Sequence, residues 1–220
     1  MKEEIKSIAG IVIIPTIIIF GGFFAYNKLT QTNNMNNPVS NNISEMLIRP
    51  DSHKIEAVDE KVTVVEFSDY ECPACRFASA NVREVLKKYE GKVTFVYRNF
   101  PLPQHQYALV SAEAAEVAGV DGKYWEMNEM LFDNQETWAV APSEKEAKNI
   151  FVSYAEKIGM DKVKFAADLD AMSHQDFIKK DLADGQTLNI NATPTFFVNG
   201  TKVLGGGEAM VKAVEAVMAK

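Results

Sequence analysis

The stretch that decides the fold runs from Val62 to Cys75 and reads VTVVEFSDYECPAC. Its first part, Val62 to Phe67, is a short apolar run rich in β-branched residues, which is typical of a strand buried on both faces. Its last part, Cys72-Pro73-Ala74-Cys75, holds both cysteines of the chain. The stretch therefore predicts a buried strand that leads directly into a cysteine pair.

A helix is expected to begin at this pair, because proline is favoured at the first helical position. Pro73 then makes Cys72 the N-cap residue and places Cys75 in the first turn. Free backbone N–H groups and the positive end of the helix dipole stabilise a thiolate at that position. We expect Cys72 to be an exposed nucleophile with a lowered pKa. Cys75 lies one turn further along, close enough to form a disulfide with it.

Zinc binding and an incidental pair without a role are the alternatives for the two cysteines. Two cysteines cannot build a disulfide scaffold or a four-thiolate zinc site, and a tetrahedral site with this pair needs two more ligands. The histidines of the chain, His53, His105 and His174, lack the short spacing of a zinc motif. The pattern favours a redox pair, with no metal and no cofactor besides the Cys72–Cys75 disulfide itself.

The segments after the pair alternate between helix and strand patterns. A helix that ends at Gly91 and a strand from Val93 to Tyr97 complete a right-handed βαβ unit with the first strand. Strand patterns return only at Thr195 to Val198 and Lys202 to Leu204, which flank the hairpin signal Asn199-Gly200. An amphipathic helix follows, so the predicted order is βαβ, a helical insertion, then ββα.

Helical patterns fill the insertion from Ala108 towards Leu188. Ser143 followed by Glu146 is a capping box that starts one of these helices, and Asp161 starts the next. The methionine and aromatic positions of these helices are most simply explained as core packing.

The N-terminal residues predict a membrane anchor. Ile8 to Phe24 is almost wholly apolar, and about 20 apolar residues are enough to cross a bilayer as a helix. A cleavable signal peptide is the alternative, but its apolar region is usually about 7–15 residues. Ala25-Tyr26-Asn27 is also a poor cleavage site. We expect residues 1–28 to be an uncleaved signal-anchor transmembrane helix.

Charge and composition indicate how the rest of the chain is placed. Lys2 and Lys6 precede the apolar span, which favours a cytoplasmic N-terminus and an extracytoplasmic domain on a single-pass cell-membrane protein. Residues 29–45 are polar, rich in asparagine and low in complexity, so they are predicted to be a disordered linker. The net charge of −7 argues against nucleic acid as a partner, because phosphate binding needs a basic face.

Three motifs resemble those of one known family. They are Glu66-Phe67-Ser68-Asp69-Tyr70-Glu71-Cys72-Pro73-Ala74-Cys75, Arg98-Asn99-Phe100-Pro101-Leu102 and Thr193-Pro194-Thr195-Phe196-Phe197-Val198-Asn199-Gly200. In this order and spacing the chain resembles the DsbA-like thioredoxin-fold family, and especially its membrane-anchored oxidoreductases. The resemblance implies an α/β thioredoxin domain over residues 46–220, with an inserted all-helical subdomain at about residues 104–185.

The resemblance also implies an activity, which is thiol–disulfide exchange with exported proteins that carry free thiols. For oxidases of the family it implies reoxidation by a membrane quinone-linked partner. Cys72 matches the attacking cysteine and Cys75 the resolving one. Pro194 matches a cis-proline in a loop that faces the active site and aligns the client backbone, with Thr193 touching the disulfide. Pro73-Ala74 departs from the Pro-His of the best-known oxidases, which leaves the strength of oxidation open.

Glu66 lies on the first strand, six residues before Cys72, where the family often has a buried acid. It is a candidate proton acceptor for Cys75, because a desolvated carboxyl group titrates near neutrality. The alternative is a hydrogen-bonded glutamate without a catalytic part. Glu71 is expected to disfavour the neighbouring thiolate electrostatically, an effect that surface exposure would weaken. His105 is expected to be a solvated loop residue, and the alternative is that it lines a groove.

The expected function is therefore a membrane-tethered extracytoplasmic dithiol oxidase that introduces disulfides into exported proteins. A reductase or isomerase of the same fold is the first alternative, since direction depends on reduction potential and partner. A non-catalytic thioredoxin-like module that binds substrates is the second.

Overall fold

The computed structural model describes residues 38–220 of the chain, with side chains from residue 43 onward. Within that range the strands are β1 (His53–Ile55), β2 (Val62–Ser68), β3 (Val93–Asn99), β4 (Thr195–Val198) and β5 (Thr201–Val203). The helices are α1 (Pro38–Leu47), α2 (Pro73–Lys88), α3 (Ala108–Val120), α4 (Tyr124–Asp133), α5 (Gln135–Trp138), α6 (Glu144–Lys157), α7 (Lys162–Ala171), α8 (Gln175–Thr187) and α9 (Gly206–Met218).

The strands form one sheet in the order β1-β3-β2-β4-β5. β2 and β3 are parallel and are joined by α2, while β4 runs antiparallel to β2 and pairs with β5 in a hairpin. Asn199 and Gly200 both have positive φ in the hairpin turn, as the Asn-Gly signal predicts. The mixed α/β fold with a helical insertion is confirmed.

The central strands read as continuous apolar runs because both faces of the sheet are covered. One face packs against α2 and α9, with Val64, Phe95 and Met210 in the core. The other face packs against α8, with Phe67 and Phe100 in a second core cluster. The sheet is therefore covered on both faces where β2 leads into the cysteine pair.

The helical insertion is organised around α3, which packs against α4, α6, α7 and α8. α3 is almost wholly buried and rich in alanine, which lets the neighbouring helices approach it closely. The predicted starts of two helices are confirmed. The Ser143 hydroxyl accepts from the backbone N–H of Glu146, and the Asp161 carboxylate accepts from the first turn of α7.

The structure differs from the sequence-based prediction at two places before β2. α1 includes residues 38–45, so the prediction of a disordered linker over residues 29–45 is wrong for that part. Pro38 at its first position and the spacing of Val39, Ile43 and Leu47 suit a helix. β1 was not predicted, because three residues carry no periodicity and the strand is defined by pairing with β3.

Among the described residues, none of the helices is long and apolar enough to cross a membrane. The predicted membrane-spanning segment, residues 1–28, lies outside the described residues, as does the first part of the predicted linker.

Candidate redox-active site

The cysteine pair lies where the sequence predicts it, at the start of α2. Cys72 is the N-cap residue with an extended backbone, and Pro73 is the first residue of the helix. The Cys72 carbonyl accepts from the backbone N–H groups of Cys75 and Arg76, which closes the first turn. Both thiols are free. The local sequence therefore places the Cys72 sulfur at the positive end of a helix of 16 residues.

Cys72 is less accessible than the sequence predicts. Its relative exposure is 7%, whereas Cys75 is fully buried at 0%. The expectation of an exposed nucleophile is wrong in this respect, because the loop before β4 lies against the sulfur. The Cys72 thiol donates to the carbonyl oxygen of Thr193 at 3.5 Å. Pro73 and Ala74 remain exposed beside it, so a client would have to approach over these two residues.

The environment makes the two thiols chemically different. A hydrogen bond from Cys75 lowers the pKa of Cys72 to about 5, and the Thr193 side chain and the backbone N–H groups of Cys75 and Ala74 act in the same direction. Burial raises the pKa of Cys75 well above its ordinary value, and the charge of Glu66 adds to this. At neutral pH, Cys72 is a thiolate and Cys75 is a thiol.

The loop that faces the pair is placed by the sheet. β4 runs antiparallel to β2 with Thr195 opposite Phe67, so the residues just before β4 lie at the end of β2 where the cysteines follow. The Thr193–Pro194 peptide bond is cis. The structure thus brings Thr193 and Pro194 together with the cysteine pair.

Glu66 is buried in β2 at 2% exposure. Burial raises its pKa to about 8, against the hydrogen bond that Ser68 donates to its Oε1 at 2.8 Å, and the charge of Cys72 raises the pKa further. Glu66 also lines a cavity of about 60 Å³ beside Tyr97 and Asn128. A carboxyl group with this pKa is protonated at neutral pH and can both give and take a proton.

Asp69 and His105 form a partly buried contact that the sequence does not predict. The Asp69 Oδ2 accepts from His105 Nδ1 at 2.7 Å and from the backbone N–H of Leu102 at 2.8 Å. His105 is 19% exposed in this pair, so the expectation of a solvated loop histidine is wrong. The contact joins the loop before the cysteines to the loop after β3. No local sequence signal reports a pairing between residues so far apart.

Two further polar contacts hold the turn that precedes α2. Gln135 of the helical insertion donates to the carbonyl oxygens of Tyr70 and Cys72, at 2.6 and 2.9 Å. The Glu71 carboxylate accepts from the backbone N–H of Tyr107, and its partial burial raises its pKa. The insertion therefore supports the redox turn directly.

Within residues 38–220, no group of three or more histidine, cysteine or acidic side chains is arranged to hold a metal ion. Each histidine instead lies against a carboxylate. The pairs are His53 with Glu116 at 2.7 Å, His105 with Asp69 at 2.7 Å and His174 with Glu113 at 2.9 Å.

Comparison with protein families gives a match to a thioredoxin family model over residues 51–216. Among curated proteins, the chain is 35% identical to the Na(+)/H(+) antiporter NhaA 1 of Salinispora arenicola over 187 residues. That match covers 82% of this chain and 27% of the antiporter. The chain spans about a quarter to a third of the length of the curated relatives reported for it.

Solved structures of related fold are similar over most of their length. BdbD of Bacillus subtilis in its oxidised form is 25% identical with a TM-score of 0.66, covering 77% of this chain and 94% of BdbD. A thioredoxin-like oxidoreductase of Silicibacter pomeroyi is 26% identical with a TM-score of 0.61, covering 80% and 98%. The thiol-disulfide exchange protein alpha-DsbA2 of Wolbachia pipientis has a TM-score of 0.68 at 15% identity, covering 89% and 97%, which is a likeness of fold.

Proposed function

Because the chain belongs to the thioredoxin family, and within it to the DsbA-like group of thiol–disulfide oxidoreductases, we propose that it is a dithiol oxidase that introduces disulfides into exported proteins. The observation that carries the proposal is the contrast between the two thiols. Cys72 has a pKa of about 5, whereas the pKa of buried Cys75 is raised well above its ordinary value.

This contrast favours oxidation of clients over their reduction. The lowered pKa means that the folded, reduced protein is stabilised by a thiolate that the disulfide form lacks, and a protein whose reduced form is stabilised is an oxidant. The folded pKa of about 5 lies about two units below pH 7. At about 30 mV per unit for a two-electron couple, the thiolate raises the reduction potential by roughly 60 mV at that pH.

The exchange consists of two successive thiol–disulfide displacements. A client thiolate attacks the Cys72 sulfur of the oxidised protein, the Cys72–Cys75 bond breaks, and Cys75 leaves as a thiolate that takes a proton from the protonated Glu66. A second client thiolate then attacks the client sulfur of the mixed disulfide and releases Cys72 as a thiolate. The client loses two electrons and the protein gains them.

The site residues divide between these steps and client binding. Cys72 and Cys75 are the redox pair, and Glu66 is the proton donor and acceptor. The exposed Pro73 and Ala74, with Thr193 and Pro194 opposite them, form the edge that a client backbone would meet. The reaction requires no cofactor besides the disulfide.

The placement of the enzyme is proposed from the sequence. Residues 1–28 would anchor it in the cell membrane with the catalytic domain on the extracytoplasmic side, where disulfides persist. Its clients would be exported proteins with free thiols. Its reoxidation would come from a membrane quinone-linked partner, as in the oxidases that it resembles.

The proposed function is tested with the full-length protein and a reduced, unfolded client that has two cysteines. We expect the oxidised protein to convert one equivalent of client to its disulfide within a single turnover, and to accumulate in the reduced form in a glutathione buffer that keeps ordinary disulfides oxidised. Cys72→Ala should abolish both results. A protein that stays oxidised in this buffer and reduces client disulfides would be a reductase, and one that exchanges with neither would be a binding module.

A further inference from the structure

We propose that the Ser68 hydroxyl relays the proton between the Cys75 thiol and the Glu66 carboxyl group, which makes Ser68 a catalytic residue of the exchange reaction. This inference rests on the proposed function, because it concerns the step in which Cys75 leaves or attacks.

The geometry of β2 brings Ser68 and Glu66 together. They lie two residues apart on one strand, so their side chains project from the same face. Both are buried, Ser68 at 1% and Glu66 at 2% exposure. The Ser68 Oγ donates to Glu66 Oε1 at 2.8 Å, and within residues 38–220 the Glu66 carboxyl group has no other hydrogen-bond partner.

The same hydroxyl also reaches the second cysteine. Ser68 lies close enough to Cys75 to lower the pKa of that thiol, which is the sign expected when a hydroxyl donates to a thiolate. Cys75 is fully buried, so its proton cannot pass directly to bulk water. Ser68 is therefore hydrogen-bonded to the acid that can supply or accept the proton, and it interacts with the thiol that must change its protonation state.

A hydroxyl has one proton and two acceptor lone pairs, which is what a relay needs. When Cys75 is a thiol and Glu66 is ionised, Ser68 donates to Glu66 and can accept from the thiol. When Cys75 is a thiolate and Glu66 is protonated, Ser68 donates to the sulfur and accepts from the acid. Reversal of these two hydrogen bonds transfers one proton between Cys75 and Glu66 and leaves Ser68 unchanged.

In the oxidase direction, proton transfer to Cys75 accompanies cleavage of the disulfide. The client thiolate forms a bond to the Cys72 sulfur, the Cys72–Cys75 bond breaks, and its electron pair stays on Cys75. The Ser68 hydroxyl gives its proton to this thiolate as the Glu66 acid gives its own proton to Ser68. The products are a client–Cys72 mixed disulfide, a Cys75 thiol and an ionised Glu66.

Tyr97 is the alternative candidate for proton transfer between Cys75 and Glu66. It is the register partner of Glu66 on β3, and burial raises the pKa of its hydroxyl, with the charges of Tyr70, Glu66 and Cys75 acting in the same direction. Ser68 is the better candidate because its hydroxyl is hydrogen-bonded to Glu66.

The test is single-turnover oxidation of a synthetic dithiol peptide by the pre-oxidised full-length protein, followed from pH 5 to 9 in H₂O and in D₂O. We expect Ser68→Ala to slow mixed-disulfide formation about 10- to 100-fold at pH 7, the scale of general acid–base catalysis, and to lose the solvent isotope effect. Ser68→Thr keeps a hydroxyl and should restore most of the rate.

The matched control is Ser79→Ala, since Ser79 is another buried serine near the same cavity but donates to the Arg76 carbonyl oxygen. It should react within about 2-fold of the wild type. The variants Glu66→Gln and Ser68→Ala/Glu66→Gln complete a cycle. If the two residues act as one unit, the double variant should be no slower than Glu66→Gln.

Three results would overturn the relay: a Ser68→Ala rate within about 2-fold of the wild type, losses that multiply in the double variant, or the same loss in Tyr97→Phe with Ser68→Ala unaffected. Each presupposes an active wild type. A wild-type protein that does not oxidise the peptide would instead overturn the proposed function.

Discussion

Burial and hydrogen bonding together decide the chemistry of the site residues: burial raises the pKa of each of these groups, and hydrogen bonds lower that of Cys72. Cys72 is a thiolate at neutral pH because hydrogen-bond donors surround it, while Glu66 is protonated because it is buried with one hydroxyl as its partner. The protein therefore has a nucleophile and a stored proton available at the same pH. Separation of the pKa values of two such groups assigns their roles as nucleophile and acid.

The raised pKa of Glu66 predicts a pH-dependent gain in stability for Glu66→Gln. The folded protein keeps a proton that the unfolded chain loses above about pH 4.5, so the wild-type free energy of unfolding falls as the pH rises from about 4.5 to about 8. Glutamine does not titrate. The variant should therefore be more stable than the wild type by on the order of 3–5 kcal/mol at pH 9, and by much less at pH 5.

Urea unfolding of both proteins in the reduced form tests this prediction. Cys72 is then a free thiol in both proteins, so its contribution to the free energy of unfolding cancels in the comparison. A difference in unfolding free energy that stays constant from pH 5 to 9 would mean that Glu66 is not a buried acid.

The contrast between the thiols predicts which cysteine holds the client. Cys75→Ala should accumulate mixed disulfides through Cys72, because no second thiol resolves them, whereas Cys72→Ala should trap few. Removal of Cys75 also removes the largest cause of the low pKa of Cys72, so that pKa should rise in the trapping variant. Client adducts are counted on non-reducing gels after acid quenching. Equal trapping by both variants would contradict the assignment.

At the scale of elements, a buried ion network fixes α8 and the segment before β1 to the end of β3. Arg98 is fully buried and donates to Asp181 and Asp184 at 2.6 Å, and to the carbonyl oxygen of Leu47 at 2.7 Å. Asp181 is also fully buried, so removal of the guanidinium would leave its carboxylate without its closest cation.

Arg98→Met should therefore cost about 3–5 kcal/mol in the free energy of unfolding, as expected when one partner of a buried ion pair is removed. The control is Arg83→Met, because the ion pair between Arg83 and Asp133 is exposed and should contribute no more than about 1 kcal/mol. Urea unfolding at pH 7 measures both. Equal losses in the two variants would show that the network does not hold α8 in place.

The sequence predicts the elements that have strong local signals and misses those that depend on distant partners. β2, the Pro73 start of α2, the caps at Ser143 and Asp161 and the Asn-Gly turn follow from short-range chemistry and were found. β1 and the Asp69–His105 contact exist only through residues far along the chain, so no local pattern reports them. The partial covering of Cys72 by the Thr193 loop is likewise a tertiary effect.

At the scale of the whole molecule, the proposal requires the catalytic domain to be tethered outside the cytoplasm. The apolar residues 8–24 and the poor cleavage site predict that the mature protein keeps residues 1–28. It should then stay with the membrane fraction after an alkaline carbonate wash. N-terminal sequencing is the direct control, and a soluble protein that begins after Ala25 would show that the segment is a signal peptide.

The thermodynamic basis of oxidation lies in the stability of the two redox forms of the whole molecule. A disulfide that closes so short a loop stabilises the oxidised form by only about 2 kcal/mol through chain entropy. The Cys72 thiolate stabilises the reduced form fully above the ordinary thiol pKa of 9.0, and this stability is lost as the pH falls towards the folded pKa of about 5. At pH 7, two pH units above the folded pKa, the thiolate still stabilises the reduced form by roughly 3 kcal/mol. This exceeds the stabilisation of the oxidised form by loop closure.

The decisive measurement is the difference in unfolding free energy between the reduced and the oxidised full-length protein, followed from pH 5 to 8. The reduced form should be the more stable at pH 7, and its advantage should grow by up to about 1.4 kcal/mol for each pH unit above the folded pKa of Cys72. An oxidised form that is more stable at pH 7, with a difference that does not change with pH, would contradict the oxidase and indicate a reductase.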